Sequence, residues 1–249
     1  MIELNRRGRL AILEIRHGKA NAIDVEFCEE LGRRLDETHD PAVGAVVVAG
    51  EGRMFSAGVD LLRVLDGGAP YLRTFLPAFR RVFEALFDYP KPVVAAVNGH
   101  AIAGGCVLAC AADHRIMAAG TARIGVPELL VGVAFPTVAF EAVRGACPGR
   151  LRDLIFTGRT LLPEEALAEG LVDAVVAPEA LRAEAVKAAE TLADRPLDAF
   201  VLTKRQLRAS AMARIAANRD TVDRAVEDLW CADATLKTIR SYVEKTLKK

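Results

Sequence analysis

Neither sign of charge is in excess in this chain: Lys and Arg total 33, and Asp and Glu also total 33. That balance offers nucleic acid or an anionic membrane surface no net attraction. No stretch interleaves basic with aromatic residues in the manner of an RNA-binding face. There is no CxxC pair. The five cysteines, Cys28, Cys106, Cys110, Cys147 and Cys231, are an odd number at irregular spacing. That excludes a complete disulfide framework and reads as buried, reduced thiols in a cytoplasmic protein. No apolar run reaches the roughly 18 residues of a membrane helix. The opening MIELNRRGRLAILEI lacks a charged-then-apolar signal pattern. No Gly/Ser linker or low-complexity tract interrupts the chain, and no spacing suggests a metal site. The expectation is a globular protein with no nucleic-acid partner, no membrane partner and no metal.

What is present is a large apolar fraction, 52% of 249 residues, enough for a full core without staples. RLAILEI (9–15) alternates like a strand. Residues 25–40 read as a helix with Phe27, Leu31 and Leu35 on one face and Asp24 as its cap. VGAVVVAG (43–50) has the β-branched run of a strand covered on both faces. Residues 51–61 read as a loop and 71–88 as an amphipathic helix. Pro-introduced 89–99 reads as a strand; HRIMAA, ARIG and LVDAVV (171–176) are shorter candidates. Helical pieces fall at 137–147 and 150–157. After 179 only helical periods remain, such as Leu236, Ile239, Val243 and Leu247. The pattern is an α/β fold: a core over residues 1–195 and a helical C-terminal region, 196–249, whose apolar stripes suit packing on another subunit.

Two glycine turns follow strands, FSAGVD (55–60) and AGGC (103–106). Each exposes consecutive backbone N–H groups; two such donors converging on one point would make an oxyanion hole, and a tight strand-to-helix connection explains each turn equally simply. Gly104-Gly105 open an apolar helix with no charge until Asp113. Glu128, in GVPELLVG, sits among apolar residues, an environment that resists ionisation and suits proton transfer. The alternative is a first-turn Glu favoured by the helix dipole after Pro127.

FSAGVDL, KPVVAAVNGHAIAGGCVLACAADHRI, IGVPELLVGV and FTGRTLLPEEALAEGLVDAVV occur in this order, and KANAIDVEFCEEL precedes them. Together they resemble the crotonase (enoyl-CoA hydratase/isomerase) superfamily over nearly the whole chain. The resemblance implies a spiral of strand–strand–helix turns, a helical C-terminal region that builds homotrimers or hexamers, and an acyl-CoA thioester as substrate, with no cofactor beyond that coenzyme A. Carried over, the backbone N–H groups of Val59 and Gly104 form the oxyanion hole. Ser56, Ala57, Gly58, Val59, Asp60 and Gly104 line the substrate and CoA site, and Glu128 is catalytic.

Hydratases of the family carry a second glutamate directly after Gly-Gly-Cys; here that position is Val107. They also tend to show Pro-Gly-x-Gly-Gly after the second glutamate, where this chain has GVAFPTVAFEAV. Syn addition of water needs two facing groups, whereas one carboxylate can move a proton from the α- to the γ-carbon. The apolar residue after GGC, the DxRI pattern and the ending DATLKTIRSYVEK are similar to the mitochondrial-type Δ3-Δ2-enoyl-CoA isomerases. The expectation is therefore an isomerase. Hydration, another crotonase reaction such as decarboxylation, and a non-catalytic acyl-CoA-binding homologue are the alternatives. Glu141 is a further candidate acid, and His100 and His114 read as core or supporting residues. Asp60 and Asp113 read as caps, and Lys204 or Arg205 as a CoA-phosphate contact or a solvated face.

Overall fold

The computed structural model describes residues 1–246; Leu247, assigned above to the last helical stripe, lies outside the described residues. The chain opens with an antiparallel pair, β1 (Ile2–Arg7) and β2 (Leu10–Ile15). Helix α1 (Val25–Glu37) follows, started by Asp24, whose Oδ1 accepts from Phe27 N at 2.7 Å. Its predicted face is buried through Phe27, Leu31 and Leu35. Strand β3 (Ala45–Gly50) is indeed covered on both faces. Val46 and Val48 join the main core, while Ala45 and Val47 join a second cluster.

Next come β4 (Met54–Ser56) and α2 (Leu61–Phe87). Residues 51–61, read above as a loop, thus contain a strand too short for its alternation to register. The helix expected over 71–88 begins ten residues earlier and is broken at Gly68, with φ +56. Gly68 supplies the positive φ, and Pro70 begins the second segment, where a missing N–H is tolerated. Asp60 caps the first segment, accepting from Leu62 N and Arg63 N at 3.0 Å.

The chain continues through β5 (Val93–Val97), β6 (His100–Ile102), α3 (Gly104–Ala111), β7 (His114–Ala118) and β8 (Ile124–Gly125). Then come α4 (Glu128–Val131), α5 (Thr137–Ala146), α6 (Leu151–Thr157), β9 (Thr160–Leu161), α7 (Pro163–Ala168) and β10 (Ala174–Val176). Four helices finish it: α8 (Leu181–Ala193), α9 (Leu197–Asn218), α10 (Val222–Cys231) and α11 (Asp233–Thr246).

One sheet has the order β1-β2-β3-β5-β7-β10, parallel from β2 onward. The main core, with α1 and α2, lies on one side of it; α8 covers the other with Leu181, Ala185, Val186 and Ala189. A second, smaller sheet has the order β4-β6-β8-β9, with β4, β6 and β8 parallel. This repeated strand–strand–helix winding is the expected spiral. Its functional consequence is simple: three neighbouring parallel strands, β4, β6 and β8, end at the same edge.

Helix α3 packs onto that small sheet with no space between backbones. A Cβ on Gly105 would lie 2.2 Å from Ser56 O and 2.8 Å from Ser56 C. A glycine at the second helical position is therefore a packing requirement as well as a source of bare N–H groups. The Gly105→Ala variant is expected to lose about 2–3 kcal/mol of stability or more, read by chemical denaturation. Gly149→Ala, where a Cβ meets nothing within 4 Å, is expected to stay within about 0.5 kcal/mol. Equal stability of the two variants would contradict the contact.

Candidate active site

Each of the three parallel strands delivers one element to the shared edge, the place where α/β sheets bind ligands. From β4 comes the loop Ala57-Gly58-Val59-Asp60. It is held on its inner side by the 20–23 segment: Ala57 N donates to Ala20 O (2.9 Å), Ile23 N to Gly58 O (2.8 Å) and Asp60 N to Ile23 O (3.0 Å). Ser56 Oγ donates to Asn21 O at 2.7 Å and accepts from Gly58 N at 3.1 Å. The N–H groups of residues 57, 58 and 60 are thus occupied. Val59 N alone in this loop has no acceptor among the described residues.

From β6 comes the start of α3. Gly104 is its first residue, so its N–H has no intrahelical acceptor. The turn into the helix places Ala103 at φ +52, a strained position for a residue with a side chain. Two contacts hold it: Ala103 N donates to Gly125 O at 2.8 Å and Val107 N to Ala103 O at 3.0 Å. The two turns touch. Gly58 has φ +82, and a Cβ there would come within 2.6 Å of Ile102 O and 2.9 Å of Gly104 N. The structure therefore brings the Val59 and Gly104 donors to adjoining turns, as an oxyanion hole requires.

From β8 comes Glu128, the first residue of α4. It is buried, and its Oε2 has no hydrogen-bond partner among the described residues. Burial pushes its carboxyl up to about 8; its own backbone N–H opposes the shift and the Cys110 thiol adds to it. No second carboxylate is among these influences. Val107, one turn into α3, is fully buried.

The other candidates are placed elsewhere or committed to structure. Glu141 is buried and clamped by Arg214 at 2.7–2.9 Å and Arg144 at 3.0 Å. Lys204 is neither a solvated side chain nor a free phosphate contact: it is buried, with Nζ 2.7 Å from Asp113. Burial lowers it to about 8, opposed by Asp113. Asp113 also takes Arg208 at 2.8 Å and accepts from Val93 N at 2.9 Å, so it ties α9 to the sheet rather than simply capping a turn. Arg205 is exposed. His100 Nδ1 accepts from Arg123 N at 3.1 Å, and His114 Nδ1 lies 3.5 Å from Asp173. A cavity of about 820 Å³ lined by Asp113, Lys204, Arg208 and Glu141 lies near the C-terminal end of α3, away from the helix start. Sequence reasoning missed the contacts that hold the segment after Glu128, made by α10 and α11; no spacing in the sequence signals them.

Residues 7–249 match the model of the enoyl-CoA hydratase/isomerase family. The chain belongs to that family. A probable enoyl-CoA hydratase of Rhizobium meliloti is 34% identical over 245 residues, 96% of this chain and 93% of the relative. The crotonyl-CoA hydratase of Syntrophomonas wolfei is 35% identical, covering 90% of this chain and 85% of its own. Among solved structures, a probable enoyl-CoA hydratase of Mycobacterium tuberculosis aligns with TM-score 0.84 at 31% identity, over 90% of this chain and 95% of that one. Human mitochondrial Δ3-Δ2-enoyl-CoA isomerase aligns with TM-score 0.94 over 99% of this chain and 98% of its own; at 24% identity it shows the shared fold. The chain therefore has the crotonase spiral and belongs to the enoyl-CoA hydratase/isomerase family of enzymes.

The Glu128 carboxyl has a consequence for stability. Its affinity for a proton is raised in the folded chain, from 4.5 to about 8. Between those values the folded state holds a proton that the unfolded state has released. Stability is therefore fully present below about pH 4.5 and falls as pH rises, by about 1.4 kcal/mol per unit, until the folded carboxyl ionises. Glu128→Gln is expected to remove that slope, gaining a few kcal/mol on the wild type between pH 5 and pH 9 in urea denaturation. A constant difference across the range would contradict a dry, protonated Glu128.

Proposed function

We propose that this family member shifts the double bond of a 3-enoyl-CoA to the 2-enoyl-CoA, with Glu128 as the single proton shuttle. The observation that carries the reading is the buried, uncommitted carboxylate of Glu128 at the strand edge, where Asp60 is already engaged in capping α2. Glu128 is buried with one oxygen unpartnered, and Val107 occupies the position of a second acid. The thioester oxygen is held by the N–H groups of Val59 and Gly104, and the amino end of α3 adds its positive dipole as the enolate forms. The loop Ser56, Ala57, Gly58, Val59, Asp60, together with Gly104, borders the substrate. Glu128 takes a proton from the α-carbon and returns it to the γ-carbon, so the reaction is balanced without water or a cofactor beyond the substrate's coenzyme A. A carboxylate raised to about 8 is a stronger base than an exposed one once ionised.

Hydration is the second reading, favoured by the names of the Rhizobium and Syntrophomonas relatives. It requires a second group to activate water, and Val107 supplies none. Turnover of a 3-enoyl-CoA compared with hydration of crotonyl-CoA separates the two. The isomerase reading expects the first to exceed the second at least tenfold; the reverse order overturns it. Glu128→Gln is expected to lower isomerisation about 10²–10⁴-fold while leaving acyl-CoA binding little changed.

The same reading includes assembly. Helices α10 and α11 spend Trp230, Ile239 and Val243 on the chain's own core. Helix α9 leaves Leu202 and Leu207 exposed, apolar surface suited to a second copy in a trimer or hexamer. The core over 1–195 and the assembly region over 196–249 are part of this proposal. Among the described residues no helix is long and apolar enough to cross a membrane. Sedimentation at micromolar concentration is expected to show a trimer or hexamer, and a monomer overturns the assembly.

A further inference from the structure

The stretch GVAFPT, where this chain departs from the hydratase pattern, forms a strap over residues 132–137 directly after α4. Its backbone is fastened from outside by the C-terminal helices. Asp223, buried at the start of α10, accepts through Oδ1 from both Thr137 N (2.7 Å) and Thr137 Oγ1 (2.9 Å). Trp230, two turns further on, donates Nε1–H to Ala134 O at 2.9 Å. Thr238 of α11 lies against Gly132, which turns the chain at φ +85; a Cβ there would be 2.8 Å from Thr238 Cγ2. At its near end the strap is closed onto the catalytic residue itself, because Val133 N donates to Glu128 O at 3.1 Å. Between these fastenings the strap sends Val133 and Phe135 into the core. The other face of α10 is tied to α2, with Arg80 Nη1 donating to Asp223 O at 3.3 Å.

We propose that Asp223 and Trp230 are positioning residues for Glu128: by pinning the 132–137 strap they hold its carboxyl in a dry, fixed place, so the chain's own C-terminal helices complete the site. This rests on the reading of Glu128 as proton shuttle. Two thiols of α3 are the titratable neighbours of Glu128: Cys110 raises its proton affinity, and Glu128 in turn raises that of Cys106. Asp223 is faced by Arg80 and Glu84 from α2. Replacing Asp223 by Ala leaves the Thr137 N–H and hydroxyl without an acceptor and frees the strap to move and admit water. Water around Glu128 favours its ionised form, and a displacement of about 1 Å at the reacting group costs up to roughly 10²-fold in rate.

The test follows the protonated Glu128 carboxyl by infrared titration of the resting enzyme, assigning the band by its loss in Glu128→Gln. Isomerisation of a 3-enoyl-CoA is measured in parallel. Asp223→Ala is expected to lower the titration midpoint by at least one pH unit and kcat at least tenfold, with KM within about threefold. Asp223→Asn, which keeps the acceptor for Thr137, is expected to restore most of both. Trp230→Phe, which deletes the N–H donor and trims the buried indole to a single ring, is expected to shift both in the same direction and decides the matter if Asp223→Ala does not fold. A folded Asp223→Ala or Trp230→Phe protein with the wild-type midpoint and kcat overturns the proposal, even if it melts earlier. An active Glu128→Gln enzyme would overturn the shuttle reading instead, leaving the infrared midpoint to judge the clamp.

Discussion

The close approach of α3 to the small sheet is the contact on which the rest of the site depends. Gly105 lies against the Ser56 carbonyl, and Gly58 against Ile102 and Gly104, at distances that leave no room for a Cβ on either glycine. Two backbones meet directly, so two N–H groups from segments 45 residues apart in sequence are presented side by side. Any side chain at Gly105 or Gly58 would separate them. The 20–23 segment accepts from Ala57 N and Asp60 N, and Ser56 Oγ accepts from Gly58 N, so Val59 N is left without an acceptor among the described residues. In the proposed reaction, backbone donors held this way need no reorganisation when charge develops on the thioester oxygen.

The same edge explains why one carboxylate is so strongly perturbed. Strand β8 is two residues long, and its end runs straight through Pro127 into Glu128. That puts the carboxyl beneath the main core rather than at the surface. Desolvation is the largest cause of its raised proton affinity, and among the described residues no cation is one of the groups that act on it. The buried charged groups elsewhere behave differently: Glu141 has Arg214 and Arg144, and Asp113 has Lys204 and Arg208. The pairs to Lys204, Arg208 and Arg214 are structural joints between α9 and the core, and Arg144 pairs with Glu141 within α5. An unpaired buried carboxyl is costly, and the proposed proton shuttle would give that cost a chemical use.

The C-terminal helices divide their work by face. Helices α10 and α11 close over α2, α4 and the strap, burying Trp230, Ile239 and Val243. Helix α9 fastens to β7 and α5 through Asp113 and Glu141, yet leaves Leu202 and Leu207 uncovered. A region that reads in sequence as one uniform helical tail is therefore two things: a cover for the chain's own core and a candidate contact for another copy.

Much of this was legible in the residues themselves. The β-branched run Val46–Val48 within 43–50 specified a strand buried on both faces, because only a central strand has no solvent side. Asp24 and Asp60 marked helix starts because a carboxylate oxygen satisfies orphan N–H groups. The ordered motifs around Val59, Gly104 and Glu128 follow three strands that the fold sets side by side. The sequence did not reveal β4, β6 or β9, since two or three residues carry no measurable alternation. Nor did it reveal the break at Gly68, or that Glu141 and Lys204 were already paired. Above all, it could not show that Asp223 holds Thr137, 86 residues away. Local pattern determines which residues want to be helical, extended or buried. Which donor meets which acceptor across such a separation is decided only when the spiral closes and the last helices pack over it.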